Sequence, residues 1–87
     1  IIYMKEILLD VSDLEAPMPL LRAKETVEGL DKDSFIHMIH RLSPCLLLPY
    51  LDKKGFRYKE IERDGLYHIF IDHADCGEEF LDDIARA

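Results

Sequence analysis

The stretch "DVSDLEAPMPLLRAKETVEGL", residues 10–30, decides the fold. If Pro17 and Pro19 break the chain, only loop separates the first apolar run from the next. If they begin a helix, the chain opens with a strand–helix–strand unit. The first four amides of a helix have no intrahelical acceptor, so a proline among them forfeits no hydrogen bond. With Pro17 as the first helical residue, Pro19 is the third, and both fall in this free zone. Beyond them Leu20, Ala23, Val27 and Leu30 recur at steps of three and four, with Arg22, Lys24, Glu25 and Glu28 off that stripe. Gly29 supplies a C-terminal stop. The spacing therefore predicts a helix from Pro17 with Ala16 at or beside its N-cap. Alanine is a weak cap, worth about 1 kcal/mol less than serine or aspartate.

Upstream, "KEILLDV" (5–11) is a short β-capable run, and residues 12–16 form a polar loop. Downstream, "DSFIHMIH" (33–40) is rich in β-branched and aromatic residues and reads as a strand. "SPCLLLPYLDKKG" (43–55) reads as a second helix. Ser43 is its candidate N-cap, Pro44 suits the first turn, Lys53 and Lys54 complement the C-terminal dipole, and Gly55 ends it. By the argument used for Pro17, Pro49 must lie near the start of that helix or distort it. "FRYKEIE" and "LYHIFID" flank Arg63-Asp64-Gly65, and Asp-Gly between two strand-like runs signals a tight hairpin.

The order is strand, helix, strand, helix, strand, strand. Helical crossovers imply at least one parallel pair, and the last two strands are antiparallel. The predicted fold class is α/β (α+β): a two-layer sandwich of a four-stranded mixed sheet with both helices on one face. Residues 5–73 form the domain, after an N-terminal extension at 1–4. The tail 74–87, "ADCGEEFLDDIARA", carries Phe80, Leu81 and Ile84 at helical spacing and reads either as a third short helix or as a frayed end.

Eighty-seven residues suffice for one domain that buries roughly 60–65% of its unfolded surface. Hydrophobic content of 48% beside 33% charged residues is that of a globular chain, not a disordered one. The net charge of −7 and the lack of a basic cluster argue against nucleic acid and anionic membrane surfaces as partners. No apolar run approaches a membrane span, and the first residues lack the pattern of a secretion signal. A cytoplasmic location is the expectation, in which Cys45 and Cys76 are free thiols.

The segment "LLDVSDLEAPMPLLRAKETVEGL" (8–30) resembles the TusA/SirA family of small sulfur carriers, whose hallmark is Cys-Pro-X-Pro at the start of the first helix. Here Pro17 and Pro19 are in place and Ala16 stands in the cysteine position. "LPYLDKKGFRYKEIERDGLYHIFI" (48–71) is similar to that family's second helix, third-strand start and closing hairpin. "HRLSPCLLLPYLDKKGFRY" (40–58) also resembles a related group of TusA-like domains, some joined to hemerythrin-like domains, that lack the carrier cysteine. The chain looks nearer to that group. The resemblance implies the two-layer fold just described. It also implies an ancestral role in carrying a persulfide to a partner protein, which alanine at position 16 cannot perform.

With the first two strands parallel, both helix starts lie at one edge of the sheet. That edge collects Asp13, Ala16, Pro17, Met18 and Pro19 from the first loop and helix start, and His40, Arg41, Ser43 and Cys45 from the second. Two helix N-termini with Arg41 offer a small anion or ligand site; the plainer reading is a solvated edge of caps. Cys45, in the first turn of the second helix, is expected to be a small buried apolar residue. Its alternative is a thiolate steadied by the dipole and by His40 or Arg41.

His37 and His40 are three apart on a strand and point to opposite faces, so they cannot share a metal. His68 and His73 likewise differ in parity. His73, Asp75, Cys76, Glu78 and Glu79 show no recognised ligand spacing, and no metal or other cofactor is expected. Catalytic motifs for nucleotide binding or hydrolysis are absent. The expected function is a non-catalytic TusA-like domain that binds a protein partner or a small ligand. The alternatives are sulfur transfer or redox chemistry through Cys45 and, third, a metal-associated regulatory module.

Overall fold

The computed structural model describes residues 4–73, so the tail at 74–87, with its possible helix, lies outside the described residues. The elements follow the predicted order: β1 (Lys5–Asp10), α1 (Met18–Glu28), β2 (Ser34–His40), α2 (Leu47–Lys54), β3 (Phe56–Arg63) and β4 (Leu66–His73). They form a four-stranded sheet in the order β1-β2-β4-β3. β1 and β2 are parallel, joined across α1, while β4 runs antiparallel to both β2 and β3. The hairpin strand β4 thus inserts between β2 and β3, so that β2 and β4 are the two inner strands.

Side-chain alternation sorts the sheet into two faces. Ile36 and Met38 of β2 and Ile69 and Ile71 of β4 are fully buried against Ala23 and Val27 of α1 and Leu47 and Leu51 of α2. Both helices therefore cover the same face. The buried helical positions are spaced by four, as one face of a helix requires. In α1 the buried stripe is Pro19, Ala23 and Val27, with Leu20 only half-buried beside it, so the register is one residue off the sequence expectation at its start. The opposite face carries a smaller cluster, Phe35 and Phe70 with Met4 and Ile61.

The proline argument holds with a shift. Pro17 is the N-cap of α1, not its first residue, so Ala16 lies outside the cap and Pro19 is the second helical residue. Neither proline displaces a helical hydrogen bond, because both still precede the first amide that needs one: Leu21 N–H donates to Pro17 O over 3.2 Å.

α2 starts later than the sequence suggests. Its cap is Leu46, and Ser43 caps nothing: Ser43 Oγ donates instead to Glu60 Oε1 of β3 at 2.8 Å. A compact turn, with Cys45 N–H on Ser43 O at 2.9 Å and Leu47 N–H on Pro44 O at 2.9 Å, occupies residues 43–46. A long-range bond has outcompeted the local cap. Pro49 is then the third residue of α2, within the free zone as required.

The Asp64-Gly65 turn has φ of 56° and 81°, the doubly left-handed pair of a two-residue hairpin. Gly65→Ala is expected to destabilise the fold by about 1 kcal/mol, since alanine resists positive φ, although nothing lies within 4 Å of the added Cβ. Urea unfolding with an unchanged m-value checks this.

Candidate functional site

At the end of the sheet where β1 and β2 finish, the loop into α1 faces the loop into α2. Between them lies a groove of about 390 Å³. Its first wall is Leu14 to Pro17 with Pro19 and Leu20; its second is His40 to Leu47; Met38 forms the floor. The parallel pairing of β1 and β2 brings these segments together, because it sets both helix starts at one edge. The lining is dominated by leucine, proline and methionine, with few polar groups.

Of the residues singled out in the sequence, Ala16, Pro17, Pro19, His40, Arg41, Ser43 and Cys45 line the groove. Asp13 and Met18 do not; both are exposed beside it, Asp13 in the first loop and Met18 at 41% exposure in the first turn of α1. Cys45 is exposed, contrary to the expectation that it is buried. The reason is the delayed start of α2: the turn at 43–46 turns Cys45 and Leu46 outward, and Leu47 becomes the first core residue. Leu42 and Leu46, which sequence reasoning missed, stand at the groove with 65% and 76% of their surface exposed. For Leu46 the apolar run "CLLL" (45–48) held the signal, but only the start of α2 decides which of its leucines face inward; Leu42, outside that run, carried none.

The polar residues of the lining are Glu15, His40, Arg41 and Ser43. Arg41 donates to Leu14 O at 3.1 Å and to Glu15 Oε1 at 3.2 Å, tying the two loops together. The guanidinium is thus engaged by a carboxylate and a carbonyl. Neither helix has an acidic residue in its first turn or a side-chain cap.

His40 is 8% exposed, and the Leu42 amide donates to its Nδ1 over 3.4 Å, which leaves the ring proton on Nε2. Burial first, and then the neighbouring Arg41 charge, hold its pKa below the ordinary histidine value. The sign of the linkage follows. The unfolded chain binds a proton at His40 more readily than the folded one, so stability is full above the unfolded pKa of about 6.5 and declines as pH falls through it. Urea midpoints at about pH 7.5, 6.5 and 5.5 are expected to fall in that order, and His40→Gln to flatten the slope. An unchanged slope in that variant would remove His40 as a source.

On the other face, Glu6 of β1, His37 of β2 and His68 of β4 form a chain. His37 Nδ1 lies 2.9 Å from Glu6 Oε2, and His37 Nε2 lies 2.8 Å from His68 Nδ1. The His37 ring stacks on Phe70 at 4.5 Å. The sequence placed His37 and His40 on opposite faces, as found, but gave no register between β2 and β4, so the His37–His68 contact was not legible. His73 falls on the helix side, within 2.7 Å of Leu30 O. Among the described residues no group of three or more histidine, cysteine or acidic side chains is arranged to hold a metal ion. No helix among them is long and apolar enough to cross a membrane.

No family model matches the chain, and comparison with curated proteins and with solved structures returns no match.

Proposed function

We propose that the protein is a non-catalytic, TusA-like binding domain whose groove receives an apolar segment of a partner protein. One observation carries this reading: Leu42 and Leu46, which line the 390 Å³ groove, are 65% and 76% exposed, and Met18, next in the chain to Pro17 of its wall, is exposed as well. A small ligand needs an enclosing pocket with a few converging polar groups. An apolar surface wider than its cavity, edged by the Arg41–Glu15 pair, has the composition of a protein-binding patch with a polar rim. The resemblance to carriers that dock on partner proteins supports the same reading, with Ala16 contributing only a methyl group to the groove wall. The reading assigns the domain to the cytoplasm, where Cys45 stays reduced.

A photo-crosslinking residue at position 46 in cells, followed by purification of the captured protein and calorimetry, tests it. Leu42→Asp and Leu46→Asp are expected to weaken binding of that protein at least about tenfold, since buried apolar anchors dominate such interfaces. Leu8→Asp, at 61% exposure on the other face, is expected to leave it unchanged. Equal binding by all three variants would overturn the proposal. So would a stoichiometric small molecule held in the groove and seen by native mass spectrometry.

The exposure of Cys45 favours a second reading, sulfur transfer. In that chemistry the Cys45 thiolate attacks the outer sulfur of a donor persulfide, a new S–S bond forms at Cys45, and the donor leaves as a thiolate. Incubation with a cysteine desulfurase and cysteine, read by intact mass, distinguishes the two. A sulfur adduct lost in Cys45→Ser but kept in Cys76→Ser supports transfer, and no adduct supports the binding domain.

A further inference from the structure

We propose that Glu6, His37 and His68 act as one proton-relay clamp across β1, β2 and β4, which holds with zero or one added proton on the histidine pair and opens with the second. The hydrogen-bond directions follow from the donors available. An ionised carboxylate only accepts, so His37 donates Nδ1–H to Glu6 across 2.9 Å. A neutral His37 then has a lone pair on Nε2, and the 2.8 Å contact requires His68 to donate its Nδ1–H. His68 Nε2 is left with a lone pair and with no hydrogen-bond partner among the described residues. Both rings are thus fixed as Nδ1–H tautomers.

A proton arriving at His68 Nε2 need not stay there. As it binds, the Nδ1 proton of His68 passes to His37 Nε2. The positive charge then sits on His37 beside the Glu6 carboxylate, and His68 is neutral again as the Nε2–H tautomer. One proton enters, none is lost, and the His37–His68 hydrogen bond survives with its direction reversed. A second proton makes both rings cationic, so two N–H groups confront each other where one hydrogen bond stood, and the contact must open. Two groups so close titrate as a pair with two macroscopic steps.

The surroundings sharpen this response. From β2 the pair meets Ile39, and from β4 it meets Phe70, stacked on His37. From β1 come Leu8, opposite His37, and Glu6. β3 sets Ile61 opposite His68. Arg63 opposes positive charge on His68 and Asp64 favours it. Burial, then His37, then Arg63 depress the pKa of His68.

Long-range proton–nitrogen correlation spectra of the full chain, with the imidazoles labelled with nitrogen-15, test the proposal. At about pH 8 both His37 and His68 are expected as Nδ1–H tautomers. On acidification His68 is expected to change to Nε2–H while His37 becomes cationic, with a second step at least about one pH unit lower. His37→Phe, which retains a ring to stack on Phe70, is expected to leave His68 with a single step and the common Nε2–H tautomer. Glu6→Gln, an uncharged partner for His37, is expected to move the first step down. Finding His68 as Nε2–H at about pH 8, or as a single independent step unaffected by His37→Phe, would overturn the clamp.

Discussion

Replacing Met38 by alanine is expected to cost about 3 kcal/mol of stability, within the range for truncating a buried methionine. Met38 is 0% exposed at the centre of β2, paired with Ile69, and it is also the floor of the groove. Removing its side chain deletes core contacts and leaves a void that the rigid β2–β4 pairing cannot close, so the transfer and cavity costs add. Because that void opens into the groove, Met38→Ala also deepens the cavity. Met38→Leu, which keeps most of the volume, is expected to cost less than about 1.5 kcal/mol. Equilibrium urea unfolding of both variants measures the pair of values. A loss below about 1 kcal/mol in Met38→Ala would mean that the site collapses, and that the helices are less firmly seated on the sheet than the buried contacts imply.

The second large effect is expected at Asp72. Its carboxylate is 0% exposed in β4 and takes two hydrogen bonds from Arg57 Nη2 of the adjoining strand, at 3.1 and 2.9 Å. Asp72→Ala is expected to destabilise by about 3 kcal/mol, because it leaves a guanidinium largely out of water without that carboxylate. The side chain of Arg57 is 18% exposed, so partial hydration softens the loss. Asp72→Leu combined with Arg57→Met is expected to recover most of it, since well-packed apolar replacements of a buried pair are often neutral. A cycle of wild type, Asp72→Leu, Arg57→Met and the double variant isolates the coupling. If the double variant were no better than Asp72→Ala, the pair would be serving some purpose other than neutralising a buried charge.

The Asp72–Arg57 pair illustrates which features could be read from the chain. Both residues appear in the sequence as ordinary charged positions of two strands. Their union depends on the hairpin register, in which Arg57 stands opposite Asp72. That register is countable from the two-residue Asp64-Gly65 turn, so this contact was in principle legible. The His37–His68 contact was not, because β2 and β4 are joined through α2 and β3 and no local turn sets their register. The groove was half legible. The parallel β1–β2 pairing placed Ala16, Pro17, His40 and Arg41 at one edge, as the element order implied. Cys45 was placed at that edge too, but its exposure and the part of Leu46 escaped, because Ser43, a good cap by local rules, bonds Glu60 of β3 instead.

What the sequence determined by itself was everything set by short-range physics. The prolines at 17 and 19 had to sit where no amide is owed, Asp64-Gly65 had to turn, and the spacing of apolar residues had to bury one side of each helix. These follow from backbone sterics and periodicity, which need no knowledge of distant neighbours. Only the tertiary structure decided which strand entered the centre of the sheet, where α2 began and which charged and imidazole groups met. Each of those outcomes is a competition between a local preference and a contact made across at least one other element, and the winner depends on burial that a linear chain does not display. Hence Ala16 was recognisable from the sequence as a weak capping residue beside a helix start, while the apolar groove that it helps to wall took shape only when β1 and β2 were laid side by side.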